Sequence, residues 1–512
     1  MASRSAKVRL WSPRMEEILG LNLRALDRAR MSRDPRFDGK FFIAITSTRI
    51  YCRPICPSPH AKRSHVRYFP TAASASAAGY RPCMRCRPEA APGTPAWLGT
   101  SAVVRRALRL IEDGFLDHSS VEQLAERLGI GPRHLHRLFL QHVGAPPVAM
   151  AQTRRLHFAK RLLDETDLPI TDIAFAAGFQ SIRRFNCSFQ QTFRKPPRDL
   201  RRHQRVSHAQ QEDQVVLRLA FRPPYDWQQV RDFFLARAIS GCERIDEREY
   251  TRTVKTSQGH AIVRVRPLEE EDALELSVCG TEPTSLLQIS STARRVFDVA
   301  SDPALIMCAF ENDPLIAPLV RRHPGLRIPG AWDTFECAVR AIVGQQISVA
   351  AARTFMTRLV TCAGATISTG DAGLTRLFPG PTELLNADLT GVGLTRSRLG
   401  TLKALAHAIL AGEIDLHGTS DAISAQLAEV PGIGEWTAQY VALRALGEPD
   451  AFPASDLVLR RVASNGGALL SPEALAQRAE AWRPWRAYAA IHLWRAATDE
   501  APRGTSRSSA LS

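Results

Sequence analysis

Four cysteines fall within residues 52–86, spaced Cys52-x3-Cys56 and Cys83-x2-Cys86, and nothing else constrains the front of this chain as tightly. Two close pairs at that separation can wrap a tetrahedral cation, and thiolates are ligands that Zn2+ prefers. The segment has few large apolar side chains, so metal binding would supply folding free energy that a small core cannot. The other six cysteines (Cys187, Cys242, Cys279, Cys308, Cys337 and Cys362) are scattered in apolar context, the pattern of reduced packing residues rather than of a secreted disulfide framework. Spacing alone leaves open whether the metal is purely structural or one thiolate is also a nucleophile.

At 512 residues the chain exceeds one hydrophobic core, which predicts three or four domains. Its net charge of +16 is unevenly placed: residues 1–210 carry 36 Lys and Arg against 16 Asp and Glu, the remainder 31 against 35. A basic surplus of that size points to a polyanionic partner, nucleic acid first, with a solvated charged face as the plain alternative. The N-terminal "MASRSAKVRLWSPRMEE" has no apolar core of a signal peptide, and no run long enough to cross a membrane occurs, so the expectation is a cytoplasmic protein with no membrane partner. "APGTPAWLGT" and "RRHQRVSHAQQEDQ" read as linkers, and "EAPRGTSRSSALS" as a disordered tail.

The run "FFIAITSTRIYCRPICPSPHAKRSHVRYF…AAGYRPCMRCRPE" resembles the N-terminal domain of the adaptive-response regulator Ada. The resemblance implies one Zn2+, both structural and thiolate-activating, with Cys52 as acceptor of a methyl group from DNA methylphosphotriesters and Cys56, Cys83 and Cys86 completing the shell. A metal-bound thiolate is deprotonated at neutral pH, and a neutral triester does not repel it. No "PCHR"-type second acceptor motif follows residue 200, so no demethylation of O6-methylguanine is expected.

After the first linker, apolar residues from Val121 to Phe139 recur at helical spacing, broken at Gly129; the plan repeats with a turn at Gly178. Second helices starting near Pro132 and Ser181 would present Arg133, His134, His136 and Arg137, or Arg183 and Arg184, to a major groove. One such unit could be two ordinary packed helices. Two of them, joined by "PVAMAQTRRLHFAKRLLDE" and with "DIAFAAGF" and "FQQTFRKPP" in the second, resemble the AraC-type DNA-binding domain, which implies promoter DNA and RNA polymerase as partners.

Further on, "ISAQLAEVPGIGEWTAQYVALRALGEPDAFPASD" predicts a helix ending at Val430, the turn Pro431–Gly434, and a second helix from about Glu435. Glycines free the turn's amides to approach a phosphate, and the adjoining helix N-terminus favours an anion. Gly432, Gly434 and Thr437 are the candidate contacts; a plain helical hairpin is the alternative. Asp456, alone among small and apolar residues, has the make-up of a helix N-cap; the order of turn, helix, Gly/Pro-rich loop and Asp also resembles the helix-hairpin-helix glycosylases, which implies a pocket carboxylate facing a developing positive charge.

From "LRLAFRPPYDWQQVRDFFLARAI" through "RIPGAWDTFECAVRAIVGQQISVAAA" to "AWRPWRAYAAIHLWRA" the chain resembles the 3-methyladenine DNA glycosylase II (AlkA) family within the helix-hairpin-helix superfamily. That resemblance implies hydrolysis of the N-glycosidic bond of alkylated purines by base flipping, with Asp456 as the catalytic acid and Trp436, Tyr440 and Trp494 around the extruded base. Trp332 is a further pocket wall or, equally, a core aromatic. Where bifunctional relatives carry a lysine nucleophile this sequence has Trp436, so simple base release is implied. No cysteine follows Cys362, so no iron–sulfur cluster is expected. The family's apolar wedge falls in "GQQISV", where this chain has Gln346.

The resulting expectation is a multidomain, mainly α protein. It comprises an Ada-like zinc domain (residues 1–90), an AraC-type double helix-turn-helix (101–203), an AlkA-like α+β domain (215–330), an all-α helix-hairpin-helix glycosylase domain (331–498) and a tail (499–512). It would act as a monomer on double-stranded, alkylated and promoter DNA in a bacterial cytoplasm, associated with the nucleoid. The alternative is a regulator or damage sensor whose glycosylase-like half binds without cleaving.

Overall fold

The computed structural model describes residues 17–18, 21–92, 102–201, 214–416 and 420–500. Both linker stretches and the tail beyond Glu500 lie almost wholly outside them. Among the described residues no helix is long and apolar enough to cross a membrane. The chain forms two compact units: residues 1–222 with 251–294 and 299–301, and residues 223–250 with 295–298 and 302–512. Residues 215–330, expected as one α+β layer, thus contribute to both.

The first unit begins with helix α1 (Leu23–Ser32) against a four-stranded sheet of β1 (Phe42–Ile45), β2 (Ile50–Cys52), β3 (Val66–Phe69) and β4 (Arg81–Pro82), in the order β3-β1-β2-β4. Alternation along β1 sorts the core. Ile43 packs with Val66, Tyr68 and the α1 residues Leu26 and Ala29; Phe42 and Ala44 pack on the other face with Tyr51, Ala75 and Tyr80. The helix-turn-helix pair follows as predicted: α2 (Val121–Arg127) and α3 (Pro132–His142), then α4 (Pro147–Glu165), then α5 (Ile170–Ala176) and α6 (Ile182–Phe193). Ser120 caps α2 in a reciprocal pair with Gln123, and Ser181 caps α6. Leu124, Ala125, Leu135 and Phe139 close the first pair's core, while Phe185, Phe189 and Phe193 stack along α6.

Helix α4 carries buried charge that its sequence does not advertise. Lys160 is ion-paired with Asp164 and stands 3.8 Å from Glu89; Arg87 reaches Asp164 at 2.8 Å. At the helix end, Glu165 accepts from the Arg218 amide (3.1 Å) and Arg161 donates to the Arg218 carbonyl. That joins α4 to β5 (Gln214–Ala220). In the sheet of this unit β5, β8 (Ala273–Cys279), β7 (His260–Pro267) and β6 (Tyr250–Lys255) lie in that order, with β5–β8 and β8–β7 antiparallel. "HAIVRVRPL" and "ALELSV" are therefore strands, as their alternation predicts.

The second unit is largely helical. Helix α7 (Thr334–Gly344), buried along most of its length, packs on α8 (Val349–Ala363), α9 (Arg396–Leu410) and α11 (Glu435–Arg444). Helix α10 (Ser420–Ala428) pairs with α11 across the Pro431–Gly434 turn, and α12 (Leu457–Ala463) pairs with α13 (Arg486–Glu500). Gly432 has φ +89°, and a Cβ there would lie 2.1 Å from Thr401 Oγ1, so both backbone and space demand glycine.

The two helix-turn-helix glycines differ in what an added methyl would meet. Gly129 (φ +68°) faces nothing within 4 Å, whereas a Cβ at Gly178 (φ +79°) lies 3.2 Å from the Asp117 carboxyl, itself held by Arg154 and Arg155. Gly129→Ala should cost about 1 kcal/mol, the left-handed penalty alone, and Gly178→Ala measurably more. Urea unfolding checks this, and equal losses would refute the steric part.

Candidate metal centre and candidate active site

Cys52 ends β2 and Cys56 lies in the turn after it; Cys83 and Cys86 lie in the turn after β4. The parallel β2–β4 pairing sets Tyr51 beside Pro82, bringing the two pairs together. All four sulphurs lie within 4.8 Å of one another, and only Cys52 is partly exposed. A tetrahedron with metal–sulphur bonds of about 2.3 Å has sulphurs about 3.8 Å apart, so the set fits Zn2+ with small adjustments. Hydrogen bonding from Cys52 holds the Cys56 thiol below its ordinary value and Cys83 at about 6. Arg53 frames the site: its amide donates to Cys86 Sγ (3.3 Å), its guanidinium to the Cys86 carbonyl (3.1 Å), and it pairs with buried Asp38.

The helix-turn-helix candidates are outward. Arg133, His134, His136 and Arg137 on α3 and Arg183 and Arg184 on α6 are exposed, and Arg137 donates to His134 Nδ1 at 2.9 Å. Sequence reading passed over Asn186 and Gln190, which are exposed at i+3 and i+7 from Arg183 on the same α6 face. That spacing was the available signal.

In the second unit Asp456 is the N-cap of α12, and it also faces a cluster of rings. Its Oδ1 accepts from the amides of Val458 (2.9 Å) and Leu459 (3.0 Å) and from Trp494 Nε1 (3.2 Å); its Oδ2 accepts from Trp436 Nε1 (2.8 Å). Trp436 stacks on Tyr440 with centroids 5.2 Å apart at 17°, and Tyr440 meets Trp494 edge-on at 6.3 Å. The Tyr440 hydroxyl accepts from Arg444 (3.1 Å). The N-cap reading of Asp456 is met, and two indoles pin the same carboxylate.

Trp332 stacks nearly parallel on buried Tyr250, centroids 6.5 Å apart, which favours the core alternative left open for it. Gln346 is exposed with φ +56°. Gly434 is the N-cap of α11, and a Cβ there would meet nothing within 4 Å, so its outer side is open. Thr437 is 1% exposed, and its hydroxyl accepts from Gln345, so its side chain is turned inward rather than toward a ligand.

Family profiles match four segments: the metal-binding domain of Ada over residues 25–89, a helix-turn-helix domain over 124–203, the AlkA N-terminal domain over 216–333, and the HhH-GPD superfamily of base excision DNA repair proteins over 339–487. A Mycobacterium tuberculosis protein described as "Probable bifunctional transcriptional activator/DNA repair enzyme AlkA" is 39% identical over 472 residues, covering 91% of this chain and 95% of its own. The chain belongs to this AlkA family of activator and repair fusions. Escherichia coli DNA-3-methyladenine glycosylase 2 is 32% identical over 282 residues, which is 54% of this chain and 95% of that protein. The E. coli activator and repair enzyme Ada is 38% identical over 149 residues, 29% of this chain and 40% of its own.

Tyr51, next to Cys52, has its buried hydroxyl 3.0 Å from His157 Nε2 on α4. Burial lowers His157 to about 4, so the ring is neutral at pH 7. Its folded value lies below the unfolded one, so the unfolded chain binds the extra proton. The stabilisation is complete above pH 6.5 and is lost as pH falls toward 4, by about 3 kcal/mol for a shift of this size. His157→Gln should flatten the fall in unfolding free energy between pH 6.5 and 4; an unchanged slope would refute this role.

Proposed function

We propose that this protein senses and repairs DNA alkylation through three activities on one chain: a stoichiometric methyl acceptor, a promoter-binding regulator that works with RNA polymerase, and a monofunctional DNA glycosylase of the 3-methyladenine type. The arrangement at Asp456 carries the glycosylase reading. A carboxylate held by four neutral donors beside a stacked aromatic pair suits the reaction, because the sugar gains positive charge as its base departs. The C1′–N bond breaks with its electron pair leaving on the base. Asp456 stabilises the oxocarbenium-like sugar, and a water adds to C1′ as its proton passes to solvent. An alkylated purine is cationic before cleavage and neutral afterwards, so Trp436, Tyr440 and Trp494 offer it a cation–π attraction of about 0.5–2 kcal/mol that weakens on release. The intact pinning of Asp456 is also what weighs against a non-catalytic, damage-binding half.

The Pro431–Gly434 turn and the start of α11 would hold a backbone phosphate through main-chain amides of Gly432, Gly434 and Thr437, giving grip without base preference. Gln346 would enter the base stack as the flipped nucleotide leaves. Exposed α3 and α6 would read promoter DNA, with Arg133, His134, Arg137, Arg183 and Arg184 divided between phosphates and base edges.

At the metal centre Cys52 is the one residue of the four that is partly exposed, which supports it as the acceptor. One bound Zn2+ would keep its thiolate deprotonated. The Cys52 sulphur attacks the methyl carbon, the carbon–oxygen bond breaks, and the phosphodiester leaves as an anion. The thioether does not revert, so each chain reacts once.

Base release decides the reading. Wild type and Cys52→Ala should free 3-methyladenine from methylated duplex DNA, and Asp456→Asn should not. Trp436→Phe, which keeps the ring but removes the donor to Oδ2, should lower the rate about tenfold to a hundredfold. No release by any of these proteins would leave the regulator reading standing in place of the enzyme.

A further inference from the structure

Gln345 stands directly before the exposed Gln346, and its side chain turns the other way. Its Nε2 donates to the Gly432 carbonyl at 3.1 Å and to the Thr437 hydroxyl at 3.0 Å. Its own carbonyl accepts from the Arg398 guanidinium in the first turn of α9. One residue therefore joins three segments: the loop that presents Gln346, the glycine turn ahead of α11, and the start of α9.

The loop it holds is strained. Gln346 at φ +56° occupies the left-handed region without being glycine, and such a conformation persists only where its flanks over-determine it. On the far flank Ser348 caps α8, its hydroxyl accepting from the Ala351 amide at 3.2 Å. On the near flank the fixing group is Gln345. The Gly432 carbonyl, drawn inward by Gln345, sits in the turn whose other face is open beside Gly434. The grip on DNA and the residue aimed at the base stack thus share one anchor.

The geometry points to Gln345 as a positioning residue for base extrusion: it fixes the wedge loop at a set offset from the phosphate-holding turn. Displacing a stacked base needs a side chain that does not yield when it meets the stack, because unpairing and unstacking resist it. A loop free to move relative to the turn would bend instead. This inference rests on the glycosylase reading and adds to it a residue that touches neither the lesion nor Asp456.

Two substitutions of matched length remove the donor: Gln345→Glu and Gln345→Met. The second avoids placing a charge against the Gly432 carbonyl and the Thr437 hydroxyl, should the first disturb folding. Each is assayed for single-turnover release of a methylated purine from two duplexes, one with the lesion paired to a pyrimidine and one with it opposite an abasic position, where little pairing opposes extrusion. Release from the paired duplex should slow about tenfold and from the other less than about twofold, the factor expected when hydrogen bonds worth about 1.4 kcal/mol are lost only against the paired substrate. Equal slowing on both duplexes, or none on either, would overturn the positioning role. Absence of release by the wild type from either duplex would instead overturn the glycosylase reading and this inference with it.

Discussion

The carboxylate of Asp456 has three hydrogen-bond donors on one oxygen and one on the other, and the second unit is arranged around that fact. The donors come from three helices. The amides belong to the first turn of α12, Trp436 to the first turn of α11, and Trp494 to α13. Because Trp436 lies two residues past Gly434, the same helix start that would hold a phosphate also supplies a donor to the acid. On the glycosylase reading, the distance between backbone grip and chemistry would thereby be set by one turn of helix rather than by a long chain of contacts. A saturated Oδ1 leaves Oδ2 as the oxygen with remaining acceptor capacity.

The first unit uses charge differently to hold its own site. Residues flanking the metal ligands reach α4 from both ligand pairs: Tyr51, before Cys52, meets His157, and Arg87, after Cys86, pairs with Asp164. Glu89 and Lys160 add a second opposed pair there, and burial raises the Glu89 carboxyl while Lys160 holds it down. A buried ion pair is weak evidence for stability, because desolvation offsets much of its attraction, but removing one partner is costly. What such a cluster does secure is register. The four-cysteine segment and both helix-turn-helix pairs are fixed to a single helix, and β5 is fixed to its far end.

Much of this was legible because punctuation residues are local. Gly129, Gly178 and Pro431–Gly434 mark turns by their own backbone requirements, and Ser120, Ser181 and Asp456 mark helix starts by their own side chains, so those boundaries follow from a few adjacent residues. The four cysteines were legible because a metal shell has fixed ligand chemistry. Partnerships across the chain were not. Trp436 and Trp494 lie 20 and 38 residues from the carboxylate they share, and nothing local says that their indoles turn to it. Charge was misleading where it is buried: Arg87, Lys160 and Arg161 belong to the basic surplus counted toward nucleic acid, yet they are directed into the protein. The Thr437 hydroxyl is likewise an internal acceptor, which leaves its main-chain amide as the group for the contact expected there. Periodicity tells which face of a helix is apolar, and it does not tell which polar groups find each other.

The contrast between Asp456 and the arginine-paired acids of the protein bears on why this acid is held by indoles. Asp38, Asp164 and Asp117 are each met by arginine, which cancels their charge at short range. The hydrogen-bond partners of Asp456 are two indoles and two main-chain amides, all neutral. Neutral donors fix orientation and satisfy lone pairs while leaving the negative charge in place beside the Trp436–Tyr440 pair and Trp494. An arginine in the place of either tryptophan would position the carboxylate as well and remove the field it exerts. On the glycosylase reading proposed above, a carboxylate that attracts a forming cation has to be held without being neutralised, and tryptophan provides both a donor and an apolar wall from a single side chain.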